Sequence, residues 1–354
     1  MKVETANGPI DVATLGATLM HEHLVIAFEG WATDGNVPPP SREDLVARCV
    51  DRVEELKAEG FASILDPCPV DLGRDVELYA EVGSRTGFNI LFATGLYHEH
   101  FAAPYWKFKL AADQDGADYL AAMYVRELTE GVGPSRLKPA VIKLAVGLDP
   151  ESAFENRLIE AAAIASNETR TPILAHTEGI GGELMLGRLA GFGVPAHRVI
   201  VGHSCGSPDQ TYHRRLVEAG AYIGFDRFGM TAIQSDEVRT ESLIALLEAG
   251  HAQNVIVSHD CVFCQKGQML APVKLTRDPR HFSRDIAPIL RQRGVAQSTL
   301  DGIVRDNPRR YFCDEPPARD QKAAAAPRST RIAMPAADGD RDRFESMQSG
   351  GTGT

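Results

Sequence analysis

No apolar run in this chain approaches the ~20 residues a membrane helix needs. Its start, Met1 to Gly8, carries an acid and lacks the apolar stretch of a secretory signal. Basic charge is in short supply: 37 Lys and Arg stand against 48 Asp and Glu, a formal net charge of -11. That balance argues against a nucleic-acid partner, because phosphate contacts need a basic face. The cysteines (Cys49, Cys68, Cys205, Cys261, Cys264 and Cys313) are scattered through a long chain and do not frame a short one. They suit free thiols in a reducing compartment better than a disulfide scaffold. No Gly-x-Gly-x-x-Gly follows the first strand-like run, so a dinucleotide-binding sheet is disfavoured. These omissions predict a cytoplasmic protein that handles a small molecule, with no nucleic acid and no membrane among its partners.

What is present is a recurring alternation. Short apolar runs end near Glu22, Asp66, Gly95, Lys143, His176, His203, Asp226 and Asp260. Continuous apolar strands, unlike alternating ones, belong to a parallel sheet buried on both faces. Helical patterns fall between them: 42–59 (Ser41 as N-cap, Gly60 as stop), 75–84, 155–166, 183–191, 209–219 and 237–249. Repeated β-then-α units predict an α/β fold, a (β/α)8 TIM barrel over residues 1–314. Beyond it, 315–354 has almost no large apolar residue to bury and is expected to be a disordered tail.

Six candidate metal ligands sit where those runs stop. They are His21 and His23, Lys143, His176, His203 and Asp260. In a parallel barrel, residues at the C-terminal strand ends converge on one open mouth. His21 and His23, two apart on a strand, point to one face while Glu22 points away. Each residue has a plainer role open to it alone: a satisfied core histidine, a surface lysine, a helix-capping aspartate. Their joint placement is what suggests a metal-dependent hydrolase. A lysine amine in such a mouth loses hydration, which favours its neutral form. A neutral amine can take up carbon dioxide as a carbamate, whose two oxygens suit a bridging role between two metals.

The motifs resemble those of the phosphotriesterase family within the amidohydrolase superfamily. They run in order from Gly16-Ala17-Thr18-Leu19-Met20-His21-Glu22-His23 through Leu72-Gly73-Arg74-Asp75, Val141-Ile142-Lys143 and Ile173-Leu174-Ala175-His176-Thr177. Val201-Gly202-His203, Gly224-Phe225-Asp226-Arg227 and Ile256-Val257-Ser258-His259-Asp260 complete the set. The resemblance spans about Ile10 to Phe312 and implies a binuclear centre at the barrel mouth. It gives His21, His23 and Asp260 to the more buried metal and His176 and His203 to the more exposed one. Lys143, as N6-carboxylysine, would bridge both. The ions would be zinc, with cobalt, manganese or iron as alternatives, since histidine and carboxylate suit all four. A hydroxide between the metals would attack the substrate, Asp260 would take its proton, and His259 is a weaker proton partner. The family commonly forms homodimers.

Two further positions bear on the substrate. Tyr97 stands where lactonase-like members of the family have a tyrosine, and its hydroxyl can hydrogen-bond a substrate oxygen; simple rim packing is the alternative. Arg227 belongs to a lactonase-like Asp-Arg pattern and would bind a polar substrate group or pair with Asp226. The loop 261–281 lacks the tryptophan-rich character of acyl-homoserine lactonases, although Phe263, Met269 and Leu270 could line an apolar pocket. Cys261-Val262-Phe263-Cys264 has no partner pair for a zinc knuckle and reads as two free thiols. The expected activity is lactone hydrolysis, with phosphotriester side activity. A triester or amide hydrolase is the alternative, and a catalytically silent ligand-binding barrel a remote one.

Overall fold

The computed structural model describes residues 1–112, 115–268 and 275–317. Eight strands hydrogen-bond in chain order as one parallel sheet: Thr18–Leu19, Ser63–Asp66, Asn89–Gly95, Val141–Ala145, Ile173–His176, Val199–Val201, Tyr222–Phe225 and Val255–Val257. Two further segments, Glu22–Ile26 and Cys261–Gln265, extend the first and last of these toward the mouth. They pair with each other in parallel, Cys261 opposite Glu22, and so join the two ends of the sheet. The result is a (β/α)8 barrel, as the alternation predicts.

The strands carry two apolar faces with different destinations. Met20, Leu65, Leu91, Val141, Leu174, Ile200, Tyr222 and Ile256 form one cluster, contributed by every strand and therefore lying inside the ring. Their neighbours Ile142, Leu144, Ile173, Ala175, Val199, Val201, Ile223, Phe225, Val255 and Val257 pack outward with the helices. Because side chains alternate with period two, Lys143 shares the inward face with Val141, and His176 with Leu174. The barrel interior is thus apolar below and ligand-rich above.

The helices follow their sequence signals closely. Ser41 caps Arg42–Ala58 by accepting from the Asp44 amide, and Asp75 caps Val76–Thr86 by accepting from that of Leu78. Further helices run Ala153–Thr169, Gly182–Gly191, Gln210–Glu218 and Asp236–Glu248. Two others, Pro104–Ala112 and Gly116–Glu130, lie between the third and fourth strands where the sequence reading places none. The first exposes Tyr105 and Phe108, so its aromatic residues obscure the polar-out periodicity that normally marks a helix.

Strand boundaries need two corrections. Lys143 does not end its strand but stands in the middle of Val141–Ala145. The first strand is interrupted at Met20-His21 and resumes at Glu22. Glu22 does point away from the histidines, yet into the protein. Its Oε1 accepts from Ser258 Oγ (2.8 Å), the His259 amide (2.9 Å) and His259 Nδ1 (2.7 Å), and its Oε2 from the Cys261 amide (3.0 Å). A fully buried carboxylate is tolerable when its lone pairs are this well matched by donors. It clasps the last strand to the first.

After the last helix, Asp314 pairs with Arg198, Arg170 and His197, while the Tyr222 hydroxyl donates to the Glu315 carbonyl at 3.0 Å. The disorder expected of the tail concerns residues that, from 318 onward, lie outside the described ones. Among the described residues, no helix is long and apolar enough to cross a membrane.

Candidate metal centre

All six ligand candidates meet at the mouth. His21, His23, Lys143, His176 and His203 are buried, and the Asp260 side chain is largely so. Asp260 is the hub: its Oδ1 lies 3.6 Å from His21 Nε2 and 3.3 Å from His23 Nε2, and its Oδ2 3.8 Å from His203 Nε2. Lys143 Nζ is 3.4 Å from His21 Nε2, and His203 Nε2 is 3.0 Å from His176 Nδ1. His203 and Asp260 both adopt left-handed backbone conformations, at φ 60° and 51°. Such conformations are costly for residues other than glycine and collect at functional sites.

The tautomers follow from the carboxylates behind the rings, since an ionised carboxylate only accepts. Asp226 Oδ2 faces His21 Nδ1 and its Oδ1 faces His203 Nδ1, each at 3.0 Å; Asp66 Oδ1 faces His23 Nδ1 at 3.2 Å. Glu178 Oε1 faces His176 Nε2 at 2.9 Å. Each of those nitrogens therefore carries the hydrogen, and the opposite nitrogen of each ring presents a lone pair to the site. Lone pairs of His203 and His176 thus face each other at 3.0 Å, and His23 Nε2 stands 3.3 Å from an Asp260 oxygen. Acceptors crowded this way repel unless a cation lies among them. A divalent metal fits the donor set, and the ring-orienting carboxylates are the outer partners that metal-bound histidines normally have.

The electrostatics agree. Burial, then the neighbouring Lys143, pushes His21 down to about 4. Burial and Arg227 hold His203 well below its ordinary value, and burial lowers His176. Neutral imidazole is the ligating form. His23 is the exception: burial acts downward, but its bonds to Asp260 and Asp66 outweigh it and raise the ring, so Nε2 holds a proton toward Asp260 that a metal ion would displace. Burial opposes the ionisation of Asp260; His203, His21 and Arg227 override it and keep the carboxyl well below the usual range. The Lys143 amine, desolvated by burial, is lowered to about 8.

Tyr97 and Arg227 border this cluster. The Tyr97 ring meets that of His176 edge-on at 5.2 Å, its amide donates to Asp71 Oδ1, and burial raises its phenol so that the hydroxyl remains a donor. Arg227 does not pair with Asp226, whose oxygens are taken by the two histidines. Its Nε lies 3.1 Å from Asp260 Oδ2 and its Nη1 3.7 Å from Glu178 Oε2. His259 is excluded as a proton partner. It is buried, Nδ1 is bound to Glu22, and Nε2 accepts from the Phe282 amide at 2.9 Å, so both nitrogens serve the fold.

Comparison with known proteins agrees with this geometry. The profile of the Phosphotriesterase family matches residues 1–312. The chain belongs to the phosphotriesterase family. A phosphotriesterase homology protein of Mycobacterium tuberculosis is 35% identical over 323 residues, covering 88% of this chain and 97% of that protein. The solved organophosphorus hydrolase of Deinococcus radiodurans superimposes with a TM-score of 0.84 at 33% identity, over 88% of this chain and 97% of its own. A variant from the same organism, described as a PTE-like lactonase, gives 0.83 at 33% identity over 88% and 99%. As a family member with hydrolase relatives, the chain is an enzyme that cleaves ester bonds.

Several residues escape the sequence reading. Asp66 and Asp226 are read there only as strand ends and Glu178 not at all, yet all three bond the outer nitrogens of the candidate ligands, a role that spacing does not signal. His98 is different. His98-Glu99-His100 repeats the His-Glu-His pattern of 21–23, two strand ends further on, and could have been noticed. Phe263 is packed with Leu45, Val46 and Cys49 in the core and is no pocket wall. Met269 and Leu270 lie outside the described residues. Cys261 and Cys264 are free, as expected, and the structure buries both.

Proposed function

We propose that the chain is a lactonase working with two divalent metal ions, zinc first among them, with cobalt, manganese or iron as alternatives. In this reading His21, His23 and Asp260 hold the more buried ion and His176 and His203 the more exposed one. The observation that carries it is the convergence of lone pairs: carboxylates fix four ring hydrogens outward, leaving four nitrogens aimed at one space. When bound, the ions supply Lewis acidity and lower the pKa of water.

The remaining steps belong to the chain. The neutral Lys143 amine would add to carbon dioxide, forming an N–C bond and releasing one N–H proton to solvent, and the resulting carbamate would help hold the ions as an anionic oxygen ligand. Asp260, kept ionised by its neighbours, accepts the proton of the attacking water. Arg227 steadies that carboxylate through Nε and keeps Glu178 against His176. The Tyr97 hydroxyl donates to a substrate oxygen, which favours a lactone over a phosphotriester. The lactonase description of one Deinococcus relative supports the choice. The organophosphorus hydrolase description of the other supports a second reading, triester or amide hydrolysis at the same centre. The expected homodimer and cytoplasmic location go with this proposal.

A panel of lactones, aryl esters, amides and dialkyl aryl phosphates tests it, run with metal-free and metal-reconstituted enzyme. Lactones should be turned over fastest, and only with metal. Tyr97→Phe, which removes one hydroxyl, should slow lactone hydrolysis several-fold, about 1 kcal/mol in kcat/KM, and triester hydrolysis less. Faster turnover of triesters or amides would promote the second reading, and equal losses in Tyr97→Phe would reduce Tyr97 to packing.

A further inference from the structure

His98 is an unsatisfied polar side chain near the mouth. It is buried, at 5% exposure, yet neither ring nitrogen has a hydrogen-bond partner among the described residues. Nδ1 is sealed from solvent and unpaired. Buried polar groups are nearly always matched, and an unmatched one calls for an explanation such as a water or an ion.

The ring is nevertheless held firmly. It lies nearly parallel to His176, 5.3 Å away at 24°, and packs edge-on against Phe101 at 5.3 Å. The turn that carries it is fastened by Glu155, whose Oε1 accepts from the Glu99 amide and Oε2 from the Gly147 amide, and by Ser152, which donates to Glu99 Oε2. Gly147 leaves room beside the ring, because a Cβ there would stand 3.5 Å from Nδ1 and 3.1 Å from Glu155 Oε1. A rigid seat for an unpaired imidazole is a built position, not an accident of a loose rim.

What stands opposite is a second imidazole and a carboxylate. Ligating atoms of His98, His176 and Glu178 all lie within 4.8 Å of one another. His176 turns Nδ1 toward His203 and Nε2 toward Glu178, so its outer nitrogen is on this side. Two imidazoles and a carboxylate are a zinc-type donor set.

We propose that His98, Glu178 and His176 form a third divalent-cation site beside the catalytic pair, filled by zinc after the pair and inhibitory when filled. On uptake, His176 Nε2 gives up to solvent the proton it shares with Glu178, and the ring joins the third ion to the pair. Glu178 then turns from Arg227 to the ion, and the ion stands beside Tyr97, where the substrate enters.

Metal-free protein in bicarbonate, titrated with zinc and freed of loose ions by gel filtration, tests this when its zinc is counted by elemental analysis. Wild type should retain three ions per chain. His98→Phe, which keeps a ring against His176, and His98→Leu should retain two; either variant decides if the other does not fold. Turnover of wild type should fall as the third ion enters, and that of the variants should not. Wild type stopping at two ions overturns the third site and leaves the catalytic pair standing, whereas fewer than two overturns both. A third ion kept by a His98 variant also overturns the proposal.

Discussion

Asp226 holds His203 twice through one oxygen. Its Oδ1 accepts the His203 amide at 2.8 Å and lies 3.0 Å from Nδ1 of the ring. Backbone and imidazole are thereby fixed together, at a residue whose left-handed φ leaves it little other support. The remaining oxygen reaches His21. One carboxylate thus orients a ligand of each proposed ion.

Asp226→Asn should therefore weaken both ions at once. An amide offers an acceptor to only one ring and can present a donor to the other, so one tautomer is lost. Loss of such a partner typically costs about 10–100-fold in metal affinity. Competition against a graded chelator should show a drop of that size, and an unchanged affinity would remove Asp226 from the account.

Lys143 carries two expectations. Lys143→Ala should lose both ions by elemental analysis, and a short carboxylic acid should partly restore them; full metal content in the variant would end the bridging role. The second concerns stability without metal or carbon dioxide. Burial lowers the amine from 10.5 to about 8. Below about pH 8 it is charged in both folded and unfolded chains, and the folded state bears the full penalty. Between about 8 and 10.5 the unfolded chain holds a proton that the folded one has released, so stability rises with pH. The Tm advantage of Lys143→Met over wild type should be largest below pH 8 and shrink toward pH 10. An advantage constant over that range would contradict the assignment.

Most of this site is legible in the sequence because barrel geometry converts strand ends into a shared mouth. The order His21, His23, Lys143, His176, His203, Asp260 is enough to place all six. What escapes is whatever depends on neighbours across the ring. Glu22 looks idle between two histidines until the last strand returns beside it. His259 looks reactive beside Asp260 until Glu22 and the Phe282 amide are seen to occupy both its nitrogens. Arg227 looks in sequence like the natural partner of Asp226, yet both oxygens of Asp226 are already committed to His21 and His203. The helices at 104–130 are missed for a different reason, an aromatic surface that breaks the polar-out pattern.

At the C-terminus, the boundary of stability should fall between Asp314 and Pro316. Deleting 316–354 should leave Tm and turnover nearly unchanged, whereas deleting 314–354 or substituting Asp314→Asn should lower Tm. The bond to Arg198 leads the interactions that hold Asp314 down to about 2, from 3.8. Its contribution is full above about pH 4 and lost as pH falls through about 2, so the Tm gap between wild type and Asp314→Asn should close over that interval. A large fall in Tm from the shorter deletion would show that residues past 315 support the barrel.

The most direct test of the account is lactone turnover measured as metal is returned to the metal-free enzyme in bicarbonate. No activity is expected without metal, a rise to its maximum at two ions per chain should follow, and Asp260→Ala, which removes a ligand and the proton acceptor together, should show none at any loading. Lactone hydrolysis that is absent from the fully loaded wild type, or that persists in the metal-free enzyme, would contradict it.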